Sequence, residues 1–132
     1  MSPYTVPPDF FASIETTGPL EAAILLKRNG QSLAAWTKRS IPLEVITVMA
    51  ATMLGSLETL VETLGESTPE SLSITTGKTR IFLQKLEPAA ALVLVAHASV
   101  SETQLRDTAR RLVSRLPPPA PSNRPQNRVL NR

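Results

Sequence analysis

Residues 43–64 carry only three charges, Glu44, Glu58 and Glu62, while their apolar residues fall on more than one side of a helix. Ile46, Ala50, Met53, Leu57, Leu60 or Val61, and Leu64 recur at spacings of three and four, which predicts a helix with these residues as its core stripe. Val45, Val48 and Met49 add apolar surface beside that stripe. A helix apolar on two sides must bury both, and in a chain of 132 residues a sheet can cover only one. Another chain is the simplest cover for the second side; the alternative is a helix deeply covered within its own domain. Thr52, Gly55, Ser56 and Thr59 are small enough to let two such helices approach closely. Pro42 suits the start of this helix and Gly65 its C-cap.

The flanking segments read as hairpins. Apolar runs at 20–27 and 31–37 surround Asn29-Gly30, a pair that accepts the positive φ angles of a type I′ turn. After the helix come strand-like runs at 71–76, 78–86 and 90–98, the first two joined tightly around Gly77 and the next two through Glu87-Pro88. Leu72 and Ile74 alternate with polar residues, as do Ile81 and Leu83, whereas the last run is apolar throughout and belongs in mid-sheet. Ser101 and Gln104 have capping-box spacing and open a final helix reaching 116, with Leu105, Leu112, Val113 and Leu116 inward. Ahead of the first hairpin, Asp9 caps an expected short helix at 10–16, with Phe10, Phe11 and Ile14 as its apolar contacts. The order αββαβββα predicts an α+β domain over residues 9–116, between an irregular start (1–8) and a disordered, Pro-rich basic tail (117–132).

Charge and composition narrow the function. The net charge is +3, yet residues 1–116 hold 11 Lys+Arg against 11 Asp+Glu, so the excess lies in Arg124, Arg128 and Arg132. The domain thus lacks the basic face expected of a nucleic-acid module, and aromatics at 4% leave little for stacking on bases. With no cysteine and one histidine, neither a disulfide nor a clustered metal site is expected, and no cofactor is called for. The first residues show no secretory signal, and the longest uncharged apolar run, 45–57, is short of a membrane span, so a soluble, cytoplasmic protein is expected.

Three features invite sharper chemistry. Gly77-Lys78-Thr79 matches the end of a phosphate-binding loop, but Leu72 occupies the position of the required first glycine and a strand follows, so a hairpin turn is expected. His97 has no nucleophile or carboxylate at a meaningful spacing and reads as structural. Arg106, Arg110, Arg111 and Arg115 could include a finger for phosphoryl transfer in a bound partner, against the plainer reading of a solvated helix face. In the tail, PPPAP suits an aromatic groove and the arginines suit acidic partners or phospholipid headgroups; a solvated terminus is the plain alternative. Nothing here assembles an enzyme.

EAAILLKRNGQSLAAWT, ITVMAATMLGSLETLVETLG, ESLSITTGKTRIFLQKL and ALVLVAHASVSETQLRDTARRLVSRL, in this order, resemble the roadblock (dynein light chain) family of profilin-like domains. The resemblance spans roughly residues 9–116. It implies a five-stranded antiparallel sheet in the order 2-1-5-4-3, the central helix on one face and the terminal helices on the other. Family members pair through the central helix and third strand, which adds Leu72 and Ile74 to Val45, Val48, Met49, Thr52, Ser56 and Thr59 as expected dimer contacts. The implied partners are a second copy or a paralogue, and a Ras-like small GTPase that the dimer binds and regulates. The alternative is a passive dimeric adaptor in a motor, trafficking or membrane-tethered complex.

Overall fold

Side-chain period and turn chemistry set the strands. The computed structural model describes residues 6–66, 70–86 and 89–116; the tail from 117 onward, the first five residues and the Glu87-Pro88 link lie outside them. β1 (Leu20–Lys27) and β2 (Ser32–Thr37) pair antiparallel, as do β3 (Ser71–Thr75), β4 (Thr79–Leu86) and β5 (Ala90–His97), in one five-stranded sheet ordered β2-β1-β5-β4-β3. This is the expected α+β architecture and strand order. Helix α1 (Leu43–Thr63) covers one face of the sheet and α2 (Glu102–Val113) the other. The two-residue period of β5 divides its side chains: Leu92 and Leu94 pack with Leu105, Ala109 and Leu112 of α2, whereas Ala91 and Val93 pack with Ala50 and Leu54 of α1.

The turn after β1 differs from the expected one. A type I′ turn would be closed by Arg28 and Gln31. Here Gly30 N–H donates to Lys27 O (2.9 Å) and Lys27 N–H to Gln31 O (2.8 Å), so the loop spans residues 28–30. Gly30, at φ 91°, takes the left-handed place that ends a three-residue hairpin loop. The Asn29 carboxamide oxygen accepts from Gln31 N–H at 2.9 Å, which ties the loop to its own backbone. Further along, the pairing shifts by one residue between Leu25 and Leu26, leaving Leu33 of β2 as the extra residue of a bulge.

The helix expected at 10–16 is absent as a regular element. Successive turns replace it, with Phe10 N–H on Pro7 O (3.0 Å), Ala12 N–H on Asp9 O (2.9 Å) and Ile14 N–H on Phe11 O (3.1 Å). Pro7-Pro8 and Gly18-Pro19 confine the segment to too few residues to repay helix nucleation. Its apolar residues still do what was expected of them: Phe10 and Phe11 are buried on the α2 face and Ile14 packs beside them.

Both long-helix ends follow their sequence signals. At the end of α1, Gly65 (φ 78°) gives its N–H to Glu62 O and Glu66 gives its N–H to Val61 O, the paired bonds of a Schellman ending. Ser101 Oγ accepts from Gln104 N–H (3.1 Å) and Gln104 Oε1 accepts from Ser101 N–H (3.0 Å), closing the capping box of α2. Ser101→Ala is expected to lower unfolding stability by about 1 kcal/mol, read from a urea midpoint, because the Gln104 N–H of the first turn loses its acceptor.

Candidate protein-binding face

The inner stripe of α1 is rotated from the one its apolar spacing suggests. Thr47, Ala50, Leu54 and Glu58 are buried, and Ile46, Met53, Leu57 and Val61 are half-buried at their flanks. Leu64, expected inside, is 69% exposed, and of the alternatives Leu60 and Val61 it is Val61 that turns inward while Leu60 is 57% exposed. Two polar residues hold places in the stripe because each has a partner there. Thr47 Oγ1 donates to Leu43 O at 2.7 Å. Glu58 meets the guanidinium of Arg28 from the β1–β2 loop and lies 3.1 Å from Lys85 Nζ of β4. One carboxylate thereby fastens α1 to both halves of the sheet.

Rotation of the stripe turns a different set of residues to solvent. Val45, Val48 and Met49 are 59%, 54% and 53% exposed, and Thr52, Ser56, Thr59 and Leu60 continue the same side toward the C-terminus. The spacing is helical, so these residues form one strip, with Glu44 and Glu62 at its flank. The strip is more apolar than its letters suggest. Thr52 Oγ1 donates to Val48 O (2.9 Å), Thr59 to Gly55 O (3.1 Å) and Thr63 to Thr59 O (2.8 Å). Each hydroxyl proton is spent on its own helix, which leaves methyl groups as much of what these threonines present. Gly55, between them, has nothing within 4 Å of where a Cβ would stand, so the helix backbone there is open to close approach.

β3 is an outer strand bonded only to β4 in regular register, from Ser71 opposite Gln84 to Thr75 opposite Arg80. Leu72 is half-buried and packs against the α1-side cluster; Ile74, two residues on and also half-buried, shares that face. The eight residues expected at a dimer contact thus divide into six exposed on the outer side of α1 and two half-buried on the neighbouring edge strand.

The sharper motifs resolve plainly. Residues 77 and 78 form a hairpin turn closed by Thr76 N–H on Thr79 O at 2.8 Å. His97 is exposed rather than buried, and its Nδ1 lies 2.8 Å from Ser99 Oγ and accepts from Ser99 N–H. Arg106 is held 2.5 Å from Glu102 and over the Phe82 ring, and Arg115 reaches the Asp9 carbonyl at 3.2 Å. Arg110 lies 3.5 Å from Asp107, and Arg111 donates to Thr108. Among the described residues no group of three or more His, Asp or Glu side chains could hold a metal ion. By length and composition α1 would pass for a membrane span, which the short uncharged run did not anticipate; its inner side is packed on the sheet.

No curated protein matches the chain by sequence. Among solved structures, the fold is similar to MglB of Myxococcus xanthus, at 14% identity and TM-score 0.66 over 72% of this chain and 78% of that one. An MglB described as having a tetrameric arrangement gives 20% identity and TM-score 0.65 over 70% and 71%. Profilin II of Acanthamoeba castellanii gives 12% and 0.54 over 83% and 94%. The model of the Roadblock/LC7 domain matches residues 9–96. That match runs from the amino-terminal turns through β5, takes in both hairpins and the whole of α1, and agrees with the strand order found, so the chain belongs to the Roadblock/LC7 domain family.

Proposed function

We propose that the chain is a non-catalytic, dimer-forming cytoplasmic module that binds a Ras-like small GTPase and regulates its nucleotide cycle. The observations that carry the proposal are the uncharged outer strip of α1 and the open edge of β3, whose Leu72 packs on the α1-side cluster. A strip of this kind is costly to leave in water, and an outer strand edge offers unpaired backbone groups to a partner. A second copy, or a paralogue, would cover Val45, Val48, Met49, Thr52, Ser56 and Thr59 with its own helix and meet Leu72 and Ile74 along β3. The tetrameric arrangement of one MglB supports self-association on this fold. Family membership supports the GTPase, since roadblock domains serve as scaffolds and regulators of small GTPases.

A pull-down from native lysate with the tagged chain, in GDP and in a non-hydrolysable GTP analogue, tests the proposal. Recovery of a small GTPase in one nucleotide state is the expected result. Equal recovery in both states would indicate a passive adaptor, and recovery of no GTPase would remove the partner altogether.

A further inference from the structure

On the sheet face opposite the outer strip of α1, the C-terminal half of α2 meets the amino-terminal turns across a pocket of about 390 Å³. Small-molecule sites have volumes of this order, about 300–1,000 Å³. Thr108, Arg111, Leu112 and Arg115 recur at spacings of three and four, so one side of the helix turns all four toward the pocket. Its apolar wall comes from Leu20 and Leu112, both buried, and from half-buried Ile14. Its charged lining is two guanidiniums, those of Arg111 and Arg115, against the single carboxylate of Glu15.

The arginines of this helix are not equivalent. Arg106 lies 2.5 Å from the Glu102 carboxylate, Arg110 3.5 Å from that of Asp107 and Arg115 3.7 Å from that of Asp9. Arg111 makes no ion pair among the described residues; its guanidinium donates only to the Thr108 hydroxyl, at 3.3 Å. Glu15 lines the same pocket and pairs with neither guanidinium. A neutral ligand would leave Arg111 without a counter-charge, and a cation would meet two like charges. A carboxylate matches the planar fork of the guanidinium and forms charge-assisted bonds about twice as strong as neutral ones. The negative end of the α2 dipole opposes an anion here, but weakly at an exposed terminus and against two whole charges in its favour. An aliphatic chain on the same ligand would cover the apolar wall. We propose that this pocket binds a short-chain aliphatic monocarboxylate, with its carboxylate on Arg111 and its chain on Ile14, Leu20 and Leu112.

Hexanoate, hexanol and hexylamine share one chain and differ in head group, and each is titrated into the isotope-labelled full-length chain. The expected result is saturable movement of the amide resonances of residues 13–20 and 108–115 with hexanoate. Hexanol should bind roughly tenfold more weakly, the worth of a charge-assisted bond, and hexylamine should not saturate. Arg111→Gln should weaken hexanoate by roughly tenfold as well. Arg110→Gln removes the same charge one position away, outside the pocket, and should leave the Kd unchanged. Both arginines are exposed, so neither substitution disturbs the core, and far-UV circular dichroism reads the fold of each variant. Absence of saturable shifts in the two segments would overturn the proposal. Hexanol or hexylamine bound as tightly as hexanoate would overturn it by removing the carboxylate from recognition. Equal losses in the two arginine variants would also overturn it, by reducing the effect to the general charge of the helix.

Discussion

Val48→Glu is expected to weaken the proposed dimer by roughly 100-fold, the effect of placing about 3 kcal/mol of uncompensated charge in a closed interface. Val48 is 54% exposed in the single chain, so the same substitution should change the unfolding stability of the monomer by less than about 1 kcal/mol. The two readouts separate the interface from the core. Sedimentation velocity across a concentration series reads the first, and urea unfolding at low concentration reads the second. A variant that stays dimeric would place the partner elsewhere. Loss of the dimer together with collapse of the monomer would mean that this strip belongs to the fold.

Glu58→Ala should be the most damaging single change on α1, lowering stability by about 3 kcal/mol in urea unfolding. Glu58 is 5% exposed and faces the side chains of Arg28 and Lys85, the latter 10% exposed. Removing the carboxylate takes the counter-charge from between two cations and opens a void under the helix. Arg28, 43% exposed, can turn to water, which keeps the expected cost at the lower end for a broken buried pair. A loss below about 1 kcal/mol would place these contacts with ordinary surface ion pairs. The anchor would then be the apolar contacts of Ala50 and Leu54 alone.

These two residues also mark what sequence reading reaches. β1 and the capping box of α2 could be read directly, because an apolar run, the Asn29-Gly30 pair and the Ser101/Gln104 pair act over a few residues. The strand order rested on family resemblance, since pairing β1 with β5 joins segments far apart in the chain. The outer strip of α1 was legible as an apolar excess at Val45, Val48 and Met49. Its inner stripe was misplaced because Thr47 and Glu58 read as solvent-facing letters. Their burial depends on a carbonyl one turn back and on cations from two other elements. Leu64 was drawn inward by the same error. The short helix at 10–16 failed for a different reason: Phe10 and Ile14 have helical spacing, but the segment's length was set by prolines and a glycine outside it. The hairpin at Asn29-Gly30 was right in place and wrong in turn type, because the loop closes between Lys27 and Gln31, a choice made by the strand register.

The bulge at Leu33 has a consequence for how large an assembly can grow. A sheet whose two borders are both straight can add molecules head to tail without limit, as fibres do. Here one border, β3, keeps a continuous register, while the other, β2, is broken where Leu25 and Leu26 change partners. Only like borders then match, and a junction of like with like uses up the straight edge of both molecules at once. If two copies pair along β3 as proposed, growth by this route would stop at two, with an irregular border outermost on each side.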